Sequence, residues 1–115
     1  MDIVNRSLAI VTPKQPFLDW ARQDDEEGLA EGVFEELLND PHAFLLPEYE
    51  DDAEQRRVLK HFWPVIFESM LNGWLRDPDG WPQNRNFRMF KAWFDVRMSS
   101  MVEDLYATEP LELLD

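Results

Sequence analysis

The sequence predicts an α+β fold in two layers, with about four helices packed on a small three-stranded sheet. Three observations carry this. Short apolar runs end at prolines, as strands do in Ser7–Thr12 before Pro13 and Ala43–Leu46 before Pro47. Longer stretches between and after them repeat apolar residues at helical spacing. The elements then read strand, helix, helix, strand, helix, helix, strand, and helices covering one face of a sheet is the economical way to bury both. A mostly α fold with a two-stranded element is the alternative, because the last segment fits either a helix or a strand.

In "KQPFLDWARQ", Pro16 suits a first helical turn, and Phe17, Leu18 and Ala21 share one helical face. In "DDEEGLAEGVFEELLND", Asp24 and Glu27 have capping-box spacing, and acids in a first turn favour the helix dipole. Leu29, Val33, Phe34, Leu37 and Leu38 follow as an apolar stripe, ended by Asn39-Asp40-Pro41. Gly28 and Gly32 would each weaken such a helix by about 1 kcal/mol relative to Ala.

After the second strand, Asp51 and Glu54 repeat the capping spacing and open the longest pattern. Leu59, Phe62, Trp63, Ile66, Phe67, Met70, Leu71 and Trp74 make a wide apolar face, so this is the central core helix. Pro64 lies inside it and is expected to kink or split it. Asn72-Gly73 is a natural end, and "RDPDGWPQ" is a loop of turn formers. A further helix is expected from near Asn84. On a helical wheel Phe87, Phe90, Trp93 and Phe94 fall on one side, with Arg85 and Arg88 opposite. Beyond about Asp95 the stripe either continues through Met98, Met101, Val102 and Leu105 or becomes a third strand. Long helical connections allow parallel pairing of the strands. The globular domain is taken as residues 1–106, with 107–115 a tail whose leucines either dock or fray.

The chain has 115 residues, 44% of them hydrophobic, and a formal net charge of −13. Residues 1–54 hold 15 Asp and Glu against 3 Lys and Arg, and residues 55–115 hold 9 against 8. So acidic a first half repels nucleic acid and anionic membrane, and attracts a basic partner or the near-neutral second half. With no cysteine there is no disulfide, thiolate nucleophile or zinc–thiolate site, and a reducing, cytoplasmic setting is expected. The apolar run Leu8–Val11 is too short for a signal peptide's core or a membrane span.

The segments "NRSLAIVTPKQPFLDW", "LLPEYEDD", "FESMLNGW", "WPQNR" and "WFDVRMSSMVEDL" together resemble a family of small acidic bacterial proteins of uncharacterised function, over roughly residues 4–105. The resemblance implies a third strand at about 97–105. It brings no activity, cofactor or catalytic residue. Pro64 departs from its pattern.

No catalytic constellation stands out. His42 and His61 have no HExxH or similar spacing and read as surface or capping residues. No phosphate-binding glycine loop or nucleophile motif is present. No metal site and no cofactor is expected. Glu48, Glu50, Asp51 and Asp52 crowd one turn, which a solvated helix cap explains more simply than acid–base chemistry.

The aromatic and basic residues of "WPQNRNFRMFKAWFD" face apart, whereas stacking on nucleic acid needs aromatics exposed beside cations. The expectation is therefore a non-enzymatic interaction protein whose acidic surface meets a basic protein partner, with no nucleic acid and no membrane bound. The candidate contact residues are Asp24, Asp25, Glu26 and Glu27, then Glu48, Glu50, Asp51 and Asp52, with Trp74 and Trp81 as aromatic anchors. The alternative is a small enzyme or ligand-binding protein with a cleft near residues 45–50 and 74–82.

Overall fold

A seven-residue strand, Ser7–Pro13 (β2), lies at the centre of the sheet. The computed structural model describes residues 2–114. Strand β2 pairs antiparallel with His42–Leu46 (β3) on one side and Phe94–Ser99 (β4) on the other. A two-residue strand Asp2–Ile3 (β1) precedes it, and Glu103–Asp104 (β5) follows β4. The helices are Gln15–Ala21 (α1), Ala30–Asn39 (α2), Asp52–Trp74 (α3) and Phe87–Trp93 (α4), with a 3₁₀ turn at Pro78–Gly80. The α+β class, the helix count and the three-stranded sheet are those the sequence predicts.

The pairing corrects the parallel arrangement that long connections allow. Val11 lies opposite His42 and Ser7 opposite Leu46, so the two helices between β2 and β3 return the chain to the end it left. Helix α3 then carries it the length of the sheet, and β4 starts beside Pro13. The two edge strands are therefore parallel to each other, but β2 lies antiparallel between them.

Alternation along β2 sets the two layers. Ser7, Ala9, Val11 and Pro13 are buried beneath the helices, while Leu8, Ile10 and Thr12 are half-buried on the other face. The Ser7 hydroxyl donates to the Pro47 carbonyl at 2.8 Å, which satisfies the one buried polar side chain among the described residues. Val11, Phe17, Leu59, Ile66, Phe67, Met70, Leu71, Phe90 and Phe94 form the core. Phe67 is its hub, with ring centroids of Phe94, Trp93 and Phe90 at 5.3, 5.5 and 5.9 Å.

Several expected boundaries move. The third strand starts at Phe94, earlier than 97, because Thr12 and Pro13 offer partners to Asp95 and Phe94. It breaks after Ser99. Ile3 pairs with Glu103 but Leu8 with Ser99, so four residues face three between the two ladders. The β1–β5 pair is therefore a separate two-stranded ribbon, out of register with the β2–β4 ladder from which it continues. Pro64 does not split α3, which runs unbroken through it over 23 residues. Proline removes one N–H donor and crowds the carbonyl four residues back, but the apolar face on either side is buried in the core and holds the helix together. Leu111, Leu113 and Leu114 of the tail are exposed rather than docked. Among the described residues no helix is long and apolar enough to cross a membrane.

Candidate functional site

Helix α2 begins at Ala30, so Asp24–Glu27 is a turn ahead of it and not its first turn, which corrects the capping-box expectation. The carboxylate of Asp25 does the capping, with one oxygen accepting from the Leu29 N–H at 2.8 Å and the other from the Ala30 N–H at 2.9 Å. Gly28 takes φ +71° in this turn, a left-handed value that glycine adopts without steric penalty. It therefore shapes the turn and does not weaken the helix. Asp24, Glu26 and Glu27 are exposed and make no ion pair among the described residues.

The turn adjoins a run of tryptophans. Trp74, at the end of α3, and Asp24–Glu27 with Leu29 line a cleft of about 270 Å³. Trp74, Trp20 and Leu75 line the next, of about 240 Å³. Trp20, Trp81, Trp93, Pro16 and Pro82 line a third of about 440 Å³, with Asp19 and Gln23 at its rim. These clefts share walls, so acidic turn and indoles make one continuous face.

Hydrogen bonds hold the indoles in place. The Trp20 indole N–H donates to the Gly80 carbonyl at 3.0 Å, and its ring lies 6.1 Å from that of Trp93. The Trp81 indole N–H donates to the Leu75 carbonyl at 2.7 Å, satisfying the end of α3. Asp77 caps the 3₁₀ turn by accepting from the Asp79 N–H at 3.0 Å. The Arg85 guanidinium stands 5.8 Å from the Trp81 ring centroid and 5.9 Å from that of Phe67. It donates to the Pro82 carbonyl at 2.8 Å and to Glu68 at 3.0 Å. Two of the three indoles in the Trp20–Trp81–Trp93 cleft thus spend their donors inside the protein and offer a ligand mainly their ring faces.

The second acidic cluster lies elsewhere. Glu48, Glu50, Asp51 and Asp52 adjoin the Ser7 end of the sheet, where β3 ends and α3 begins. Asp51 caps α3, accepting from the Glu54 N–H at 2.8 Å, and Glu54 accepts from the Glu50 N–H at 2.7 Å. The capping expected here is present. The 23 residues of α3 span roughly 34 Å, so this cluster and Trp74 sit at opposite ends of that helix. The same length separates residues 45–50 from 74–82, which do not share a cleft.

His42 and His61 are both exposed, each against a neighbouring phenylalanine, with ring centroids 6.0 and 4.7 Å apart. Among the described residues no three His, Cys, Asp or Glu side chains converge as a metal would require.

The sequence reading missed Trp20 and Trp93. Trp20 lies off the Phe17–Leu18–Ala21 stripe, and a large aromatic off a buried stripe was the available signal. Trp93 falls on the apolar side of the helical wheel, which points to the core, yet it is half-buried and reaches the cleft. The site and fold define a small α+β protein with an antiparallel three-stranded sheet and an acidic, tryptophan-lined face. No family model, curated protein or solved structure matches the chain.

Proposed function

We propose that the protein is a non-enzymatic interaction module of the bacterial cytoplasm that binds a basic protein partner. The observation that carries this is the continuity of the Asp24–Glu27 turn with the clefts lined by Trp74, Trp20 and Trp81. Residues 19–36 hold eight acids and one base, Arg22, which is already paired with Glu31 at 2.7 Å. Such a surface speeds encounter with a cationic partner, while desolvated tryptophans supply the short-range affinity. The second acidic cluster, about the length of α3 away, acts in long-range steering and not in the same contact.

The test immobilises the full chain and measures what it retains from native lysate as salt rises. Asp24→Asn, Glu26→Gln and Glu27→Gln are combined in a variant that leaves the Asp25 cap intact. A basic protein held at low salt, released by added salt and retained several-fold less by the variant is the expected result. Equal retention by the variant sinks the reading.

A further inference from the structure

Three of the eleven Lys and Arg side chains gather at a cleft that shares no residue with the tryptophan-lined ones. Arg56, Lys60 and Lys91 rim a cleft of about 320 Å³ whose floor includes Phe87, Val96 and Met98. All three cations are exposed, none is in an ion pair among the described residues, and no acidic side chain lines the cleft. Lys60 already lies over the Phe87 ring, its nitrogen 5.8 Å from the centroid. An apolar floor under a cationic rim suits an aliphatic segment that carries carboxylates.

The chain itself contains such a segment. "EPLELLD", residues 109–115, has three acids, three leucines and no base. Leu111, Leu113 and Leu114 are 78%, 98% and 93% exposed, so the segment is displayed and leaves its own cleft open. It follows a turn at 105–108 beyond the β1–β5 ribbon, which grows from β4, the strand that supplies Val96 and Met98. Cleft and segment are complementary in charge and in apolar surface, and a displayed arm on a chain that also carries an open cleft is the arrangement that tail exchange uses.

We propose that residues 109–114 of one copy dock in the Arg56–Lys60–Lys91 cleft of a second copy, with the leucines on the floor and Glu109 and Glu112 against the cations. Reciprocal exchange closes the pair, so the assembly is a dimer and not an open chain. This rests on a different surface from the proposed partner face and stands independently of it.

Two chains of charge −13 repel at long range while the docked pairs attract at short range, so salt acts on both and does not discriminate. Charge exchange does. Sedimentation of the full chain over a range of concentrations is compared with a tail-reversed variant (Glu109→Lys, Glu112→Lys) and a cleft-reversed variant (Arg56→Glu, Lys60→Glu, Lys91→Glu). Every substituted side chain is exposed, and far-UV circular dichroism checks that each variant folds. The wild type should dimerise, and each variant alone should dimerise about tenfold more weakly or less. Mixed together, the two variants should pair, because each tail then meets a cleft of opposite charge. A wild type monomeric at every concentration, a dimer indifferent to either reversal, or variants that stay apart when mixed would overturn the proposal. So would reversal effects on the leucine methyl resonances of a strictly monomeric chain, which would place the tail in its own cleft.

Discussion

Phe67 shows how much one side chain can carry here. It is fully buried and its ring meets Phe90, Trp93 and Phe94. Phe67→Ala removes that hub and leaves a cavity, and should cost about 3–5 kcal/mol in urea denaturation. Neighbouring acids make a sharper comparison. Asp25→Ala removes the acceptor of two helix-terminal N–H groups and should cost about 1–2 kcal/mol. Asp24→Asn, one residue away and exposed, should shift stability by less than about 0.5 kcal/mol. Equal costs for the two would contradict the cap assigned to Asp25. The sequence places four acids in a row but says nothing about which one turns back onto the helix. That depends on Gly28 at φ +71° and the turn it permits.

Among elements, α3 is the best determined by pattern. Its N-cap at Asp51 and its apolar face are legible residue by residue, and its buried residues Leu59, Ile66, Phe67, Met70 and Leu71 all lie on the expected stripe. Pro64 is where pattern reasoning overstated a local cost. It leaves the Lys60 carbonyl without its usual helical partner, yet packing on both sides keeps the helix whole. Pro64→Ala restores that donor, and the unfolding midpoint should rise by the equivalent of about 1–3 kcal/mol. A lowered midpoint would show that the proline ring's own packing outweighs the missing bond. The last segment was ambiguous for a physical reason. Phe87, Phe90 and Phe94 keep helical spacing across the boundary at Trp93, so periodicity alone cannot locate the switch to a strand. The vacant edge of β2 locates it, by pairing with Phe94 through Ser99.

At the scale of the whole molecule the charge is the dominant fact. An acidic first half can attract either a basic partner or the near-neutral second half, and the four ion pairs among the described residues, Arg22–Asp19, Arg22–Glu31, Arg85–Glu68 and Arg97–Asp95, each lie within one half. The halves are joined instead by apolar packing and by strand pairing between β2 and β4. A net charge of −13 with so little internal neutralisation destabilises the compact state by self-repulsion. Moderate salt should therefore raise the thermal midpoint, since screening relieves repulsion faster than it weakens four mostly exposed pairs. A midpoint that falls with added salt would mean those pairs matter more than their exposure suggests.

The sequence by itself predicted the fold class and located the strands around residues 7–12 and 43–46, the long core helix and the acidity of the first half, because periodicity, prolines and caps are local properties of the chain. Only the tertiary structure decided strand direction, the separation of the terminal β1–β5 ribbon from the main sheet, and which candidate residues meet. Asp24–Glu27, Trp74 and Trp81 come together because α3 ends where α1 and the 3₁₀ turn pack, and Glu48–Asp52 are held apart from them by the same helix. Those outcomes depend on how far each element reaches and on what it packs against, and no window of neighbouring residues contains that information.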